Sequence, residues 1–199
     1  MNISMALDPF ANKTRGKPSQ DVLTRHDTRY PNLTIQSAAL EESVDIFLKA
    51  PRKDSGSFFK YRDRFREKTK YAILNPKQIN QLVQLRSVFD IDEKGKPRSS
   101  VYFGDFINVI IQHSYNAGHN GFTFHTYEDP IWSLGNHLKG TKKNPLKLEV
   151  YGLLGHHSLE YMHHVHARVI GEVPLGTGSH LTNCRLEIHG SVMGSQNLF

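Results

Sequence analysis

Three segments repeat one pattern along the chain: LEVYGLL at 148–154, ARVIGEV at 167–173 and LEIHGSV at 186–192. In each segment a glycine ends a short apolar run, and an aliphatic residue follows two positions later. The three glycines, Gly152, Gly171 and Gly190, lie 19 residues apart. A fixed period of this kind is typical of a solenoid, in which each repeat forms one coil and buries its apolar face against the next coil.

Residues 19 positions apart also match in character between these segments. Strands of adjacent coils would lie about 4.8 Å apart, so that such residues become stacked neighbours. The apolar columns are Leu148 with Ala167 and Leu186, Val150 with Val169 and Ile188, Leu154 with Val173 and Val192, Met162 with Leu181, and Val165 with Cys184. Antiparallel hairpins joined by glycine turns are the alternative, but hairpins do not impose one spacing on glycine and aliphatic positions together.

Two pieces within residues 146–199 carry a family resemblance, ARVIGEVPLGTG and LTNCRLEIHGSVMGS. They resemble the GXGXG-type right-handed β-helix, which is found at the C-terminus of the large chain of glutamate synthase and in one chain of formylmethanofuran dehydrogenase. The first unit departs from that pattern, because GHHSLEYMHH stands where a glycine-rich turn is expected. In those families the module supports and docks other domains, so the resemblance implies scaffolding and not catalysis.

These features predict an α+β protein, with a helical N-terminal part followed by a short right-handed β-helix (β-solenoid) of 19-residue repeat. Residues 1–30 are polar and lack a sustained periodicity, so we expect a disordered tail there. Residues 31–145 are expected to be mainly helical. We expect residues 146–199 to form the β-solenoid, with two and a half visible coils and an incomplete last coil.

Helical periodicity is strongest in the middle of the chain. Helices are predicted over 37–48 and 58–71, from Pro76 behind the capping residue Asn75, and from Ser99 or Ser100 to Gly118. A short strand or irregular link is expected near 122–127. One more short helix, carrying Trp132, is expected to start at Asp129–Pro130.

Composition limits the class of protein. No stretch approaches the roughly 20 apolar residues that span a bilayer, and the N-terminus has no apolar core of a secretory signal, so we expect no membrane association. The lone cysteine, Cys184, excludes an internal disulfide and fits a reducing compartment. A cytoplasmic protein is the resulting expectation.

The net charge of +6 comes from one segment, because residues 49–70 hold nine Lys or Arg against three acids. Basic side chains there alternate with Phe59, Tyr61, Phe65 and Tyr71, and this combination can contact phosphates and stack on unpaired bases. The candidate nucleic-acid-binding residues are Lys60, Arg62, Arg64, Arg66, Lys68 and Lys70. The alternative is a solvated helix face whose aromatic residues belong to a helical core.

Five histidines crowd the segment GHHSLEYMHHVH. Neutral imidazoles can bind zinc or another transition metal, so a metal-dependent enzyme is one hypothesis. The candidate ligands are His156, His157, His163, His164 and His166. Solvent-facing or stacking histidines are the alternative, and His180 is expected to stack between Tyr161 and Phe199.

No familiar catalytic signature is present: the sequence lacks a GxSxG elbow, a Walker loop and a GxGxxG after a strand. The leading hypothesis is therefore a non-catalytic scaffold or protein-interaction module. Its open solenoid end would be covered by another chain, by a second copy in a homo-oligomer, or by the protein's own helical part. Catalytic residues stay unknown.

Overall fold

The computed structural model describes residues 3–5, 33–35, 38–48, 58–69, 73–85 and 100–193. Strand β1 (Ile3–Met5) pairs antiparallel with β2 (Leu33–Ile35). A disordered tail was expected over residues 1–30. The structure places Ile3–Met5 in this two-stranded sheet, and the rest of that segment lies outside the described residues.

The described residues then contain four helices, α1 (Ala38–Leu48), α2 (Phe58–Lys68), α3 (Pro76–Gln84) and α4 (Ser100–Asn116). Helix α3 begins with a capping box, because the Asn75 side chain accepts from the Gln78 backbone N–H at 3.0 Å and the Gln78 side chain accepts from the Asn75 N–H at 2.9 Å. These two bonds satisfy orphan donors at the helix start. All four helices confirm the predicted helical N-terminal part.

An aromatic cluster joins three of the helices. Phe47 of α1 and Phe65 of α2 each contact Phe106 of α4, with ring centroids 5.0 and 5.2 Å apart. Phe103 lies 5.5 Å from Phe47 in an edge-on arrangement. All four rings are buried, so the aromatic residues at helical spacing form the core of this part.

The rest of the described chain is a parallel β-solenoid. Strands β3 (Gly121–Ile131), β4 (Leu146–Leu154), β5 (Val165–Pro174) and β6 (Arg185–Met193) form one sheet in chain order, and all pairs are parallel. Val150 pairs with Val169 and Val169 pairs with Ile188. The 19-residue columns are therefore confirmed, and the antiparallel hairpin alternative is wrong.

The solenoid begins one coil earlier than residue 146. Strand β3 pairs with β4 at a spacing of 26 residues, as between Phe124 and Val150, and the register then shifts twice before Ile131 meets Leu154. The helix expected after Asp129 was wrong, because residues 129–131 end β3. The 19-residue period is hidden here, since this coil carries extra residues between His125 and Ile131 and a loop at 141–145.

The glycine column marks one corner of each coil. Gly152 has φ of +115°, and a Cβ on it would lie 2.7 Å from the Tyr127 carbonyl oxygen. In the next coils a Cβ on Gly171 would collide with the Gly152 carbonyl, and one on Gly190 with the Gly171 carbonyl. Glycine is required at this corner because successive backbones stack directly on one another.

A second corner carries left-handed residues at alternate positions. The residues with positive φ are Ser133, Gly135 and His137 in the first coil, His157, Leu159 and Tyr161 in the second, and Gly176, Gly178 and His180 in the third. The histidine-rich unit thus takes the same backbone path as the glycine-containing one. At this corner glycine is favoured but not required, because a residue other than glycine costs only about 1–2 kcal/mol in the left-handed conformation.

Candidate interaction site at the ends of the solenoid

The first coil is capped by polar side chains of α3. Asn80 accepts a hydrogen bond from the His125 N–H at 3.3 Å, and Gln84 donates to the His125 carbonyl at 2.6 Å. His125 lies on β3, whose other side pairs with β4. Two carboxamides of one helix therefore satisfy both backbone groups at this point of the outer edge.

Helix α4 caps a later segment of the same coil, residues 133–139, in the same way. Asn108 donates to the Ser133 carbonyl at 2.6 Å and accepts from the Gly135 N–H at 2.7 Å. Gln112 donates to the Lys139 carbonyl at 3.0 Å and accepts from the Lys139 N–H at 2.9 Å. A carboxamide carries the same donor and acceptor as a peptide group, so these side chains stand in for a missing coil.

Close packing accompanies these hydrogen bonds. A Cβ on Gly104 of α4 would collide with the Trp132 carbonyl oxygen. Ile131, Leu134 and Leu138 of the first coil are buried with at most 1% exposure. The helical part is thus the N-terminal cap of the solenoid, which an open parallel stack requires.

The last described strand is not capped in this way. Strand β6 pairs with β5 on one side, and within the described residues no strand pairs with its other side. Val192 is 57% exposed, whereas Val173 and Leu154 of the same column are 0% exposed. Among the described residues the apolar columns therefore end at the outer side of β6, which we call the β6 edge (Arg185–Met193).

Partial exposure also affects the neighbouring columns. Leu186 and Ile188 are half-buried, although their partners one coil earlier, Ala167 and Val169, are buried. Cys184 is half-buried, and its thiol accepts from the Val165 N–H at 3.4 Å and donates to the Thr182 carbonyl at 3.3 Å. This thiol occupies the apolar column as predicted, in a structural role.

Charged side chains line the outward face of the β6 edge. The Arg185 guanidinium contacts the Glu187 carboxylate, and His189 Nε2 lies 3.6 Å from the same carboxylate. The charge of Arg185 is the main cause that lowers the pKa of Glu187. Glu187 is therefore a carboxylate at neutral pH, and it lies between the side chains of Arg185 and His189.

Ion pairs also occupy the rest of this outward face. Arg168 lies 3.4 Å from Glu149 across adjacent coils. An open cavity of about 530 Å³ lies over these side chains and over Lys147 and His166. Because its acidic and basic groups largely pair with one another, the cavity offers no single charge to a ligand.

The five candidate zinc ligands do not come together. His156 contacts Trp132 with ring centroids 5.0 Å apart, and His157 Nδ1 lies 3.3 Å from the Glu160 carboxylate. His163 and His166 are exposed, and His164 takes a left-handed turn conformation with φ of 52°. Over the part of the chain that the structure describes, no three His, Cys, Asp or Glu side chains are placed to hold a metal ion.

Two other histidines, His137 and His180, stack on the two faces of the Tyr161 ring. The rings of His137, Tyr161 and His180 stack along the solenoid axis, with centroids 4.8 and 4.5 Å apart and planes within 8°. The predicted contact of His180 with Tyr161 is confirmed, while Phe199 lies outside the described residues. This ladder stacks one ring per coil at the second corner.

The basic segment is divided between the core and the surface. Phe65 is buried, and Arg62 is half-buried. Burial raises the pKa of Asp105 to about 7, and the positive charge of Arg62 partly opposes this increase. Arg66 pairs with Asp63 at 3.3 Å, and Lys68 is exposed. The side chains of Lys60 and Arg64, and all of Lys70, lie outside the described residues, so nucleic-acid binding stays a prediction.

None of the helices in the described ranges has both the length and the apolar character needed to cross a membrane. No family model, curated protein or solved structure matches the chain.

The capping side chains were missed at the level of sequence. They form two Asn–Gln pairs at i, i+4 spacing, Asn80 with Gln84 and Asn108 with Gln112. Such spacing places both carboxamides on one helix face. An amide pair on the face of a helix that packs on a core is the signal that could have identified a cap for strand edges.

Proposed function

We propose that this protein is a non-catalytic scaffold whose β6 edge docks another polypeptide. The observation that carries the proposal is the difference between the ends of the solenoid. Four carboxamides and two helices cover the first coil, whereas the described residues place no strand on the outer side of β6. An extended strand of a partner would add to this sheet by main-chain hydrogen bonding.

The interaction stabilises the last coil in two ways. Covering Val192, which is 57% exposed, contributes about 1 kcal/mol. Each backbone hydrogen bond formed with an added strand contributes about 0.5–1.5 kcal/mol. Several such bonds together with the half-buried columns provide a specific docking edge.

The finer family assignment is part of the same proposal. The positive-φ corner at Gly176, Gly178 and His180 agrees with the resemblance to the GXGXG-type β-helix. In that family the module supports other domains. A scaffold with an available sheet edge fits this architectural role.

Site-specific photo-crosslinking in the source cells tests the proposal. A benzophenone amino acid is placed at Val192 on the β6 edge, and in the matched control at Thr123, an exposed position on β3. We expect ultraviolet light to join Val192, but not Thr123, to a defined peptide that mass spectrometry identifies. Equal and unspecific labelling at the two positions would overturn the proposal.

A further inference from the structure

We infer that one corner of the solenoid binds a single strand of nucleic acid through its phosphates. The inference is independent of the proposed function and concerns a different surface. Residues 121–193 contain six Lys or Arg and six Asp or Glu, so their formal charges balance in number. They do not balance in space, because four of the six basic residues lie within residues 139–147. We call these four the lysine corner: Lys139, Lys142, Lys143 and Lys147.

The path of the backbone makes this corner protrude. Gly140 and Leu146 donate backbone hydrogen bonds to two consecutive residues of the next coil, His163 and His164, at 2.8 and 3.1 Å. The intervening residues 141–145 therefore leave the coil as a loop. This loop carries two of the four lysines, and the other two flank it on the coil itself.

Hydrogen bonds hold this loop in one shape. The Tyr115 hydroxyl of α4 donates to the Asn144 carbonyl at 2.6 Å, and the Asn120 carboxamide donates to the Asn144 side chain, also at 2.6 Å. The Asn144 N–H donates to the Thr141 hydroxyl at 3.1 Å. The loop is therefore ordered before a ligand binds, and this order lowers the entropic cost of binding.

The charge of the lysine corner is not neutralised within the described residues. All four lysines are exposed. The two carboxylates on the neighbouring outward face, Glu149 and Glu187, contact Arg168 and Arg185 instead. None of the ion pairs between described residues includes a lysine of the corner. The surplus positive charge therefore faces solvent, where it attracts phosphates.

A groove and an exposed aromatic ring lie beside this charge. Lys147 lines the open cavity of about 530 Å³, whose own acidic and basic groups largely balance. Its partner on β3 is Gly121, and a Cβ there would meet no heavy atom within 4 Å, so the groove is open at this side. Farther along β3, the Tyr127 ring stacks on His125 at 5.8 Å and Tyr127 is 43% exposed. Basic side chains beside a groove, with a ring on which a base can stack, are typical of surfaces that bind single strands.

The same corner is poorly suited to a membrane surface. Peripheral membrane binding usually combines basic charge with apolar side chains that enter the bilayer. Among the described residues, none of the large exposed apolar side chains lies within 139–147. Charge without an apolar surface favours a phosphate polymer.

Fluorescence anisotropy of the full chain with a labelled oligo(dT) strand of about 20 nucleotides tests the inference. The test variant is Lys143→Gln with Lys147→Gln. The matched control is Lys68→Gln with Lys77→Gln, which removes two exposed lysines from α2 and α3 and changes the net charge equally. At about 50 mM salt we expect the dissociation constant to rise about tenfold for the corner variant and less than about twofold for the control.

The salt dependence provides a second measurement on the same samples. Four phosphate contacts to a single strand predict that the logarithm of the binding constant falls against the logarithm of the salt concentration with a slope of about −3. Removal of two contacts should reduce the magnitude of that slope by about 1.4, while the control keeps it unchanged. Unchanged circular dichroism spectra verify that each variant is folded.

The outcomes that contradict the inference are distinct. Absence of binding at about 100 µM protein and about 50 mM salt overturns it. Equal losses in the two double variants overturn the corner as the site, because overall charge or the segment 49–70 then carries the binding. Sedimentation with vesicles of one part phosphatidylserine to three parts phosphatidylcholine covers the remaining case. If the corner variant loses vesicle binding and oligo(dT) does not bind, the corner recognises lipid headgroups and the inference is wrong.

None of these results depends on the β6 edge. The substituted lysines lie outside β6, so crosslinking from Val192 is measured on an unaltered strand. Failure of the nucleic-acid test leaves the docking proposal standing, and failure of the crosslinking test leaves the lysine corner standing.

Discussion

Replacement of Asn108 by alanine tests the capping of the solenoid by its helices. The Asn108 carboxamide is 3% exposed and bonds to the Ser133 carbonyl and the Gly135 N–H, at 2.6 and 2.7 Å. Residues Ser133 and Gly135 are themselves buried. The substitution leaves one donor and one acceptor unsatisfied where water has no access.

Each buried polar group that loses its partner costs about 1–3 kcal/mol. We therefore expect Asn108→Ala to lower the free energy of unfolding by about 2–5 kcal/mol. Gln112→Ala is the matched control, because Gln112 makes the same pair of bonds to Lys139 at an exposed site. Water replaces those bonds, so the loss there should be about 0.5–1 kcal/mol.

Equilibrium urea unfolding followed by circular dichroism measures both values. With a slope of roughly 2 kcal/mol per molar urea, a loss of about 3 kcal/mol moves the midpoint by about 1.5 M. Equal losses for the two variants would refute the reasoning, because burial of the bonded groups would then be irrelevant to the cap.

Two further substitutions test the corner of the coil and the helical core. Gly152→Ala should lower the free energy of unfolding by about 2–4 kcal/mol, since φ is +115° and the Tyr127 backbone blocks the Cβ. In the control, Gly121→Ala, the added Cβ meets no heavy atom within 4 Å, so the free energy of unfolding should hardly change. Equal urea midpoints for the two variants would contradict this prediction. Burial raises the pKa of Asp105 from 3.8 to about 7, so the folded state binds the extra proton. The stabilising contribution is full below about pH 4 and is lost as pH rises to about 7. Asp105→Asn should remove this decline in unfolding free energy, and parallel pH profiles of wild type and variant would exclude it.

The solenoid from β4 onward could be predicted because local sequence encodes it directly. A coil of constant length places residues such as Val150, Val169 and Ile188 in contact at one spacing, so the period is visible without any structure. The first coil was not predicted, because insertions change its spacing to 26 residues at Phe124. A varying coil length removes the period while leaving the stacking unchanged.

The candidate site was predicted only in part. The covering of an open solenoid end by another chain stays a prediction, and the structure adds that Val192 of β6 is 57% exposed. The histidine cluster was chosen by residue type, but the coil directs His156 toward Trp132 and His157 toward Glu160. Neighbours in sequence are separated here, because each residue's direction depends on its position in the coil.

The sequence by itself determined the helices and the repeat, since both depend on spacings of a few residues or of one constant coil. Only the tertiary structure decided which end of the stack is covered. Asn80, Gln84, Asn108 and Gln112 lie up to 45 residues from the backbone groups that they bond. Long-range contacts of this kind leave no period in the chain, because they form only when the helices pack on the first coil.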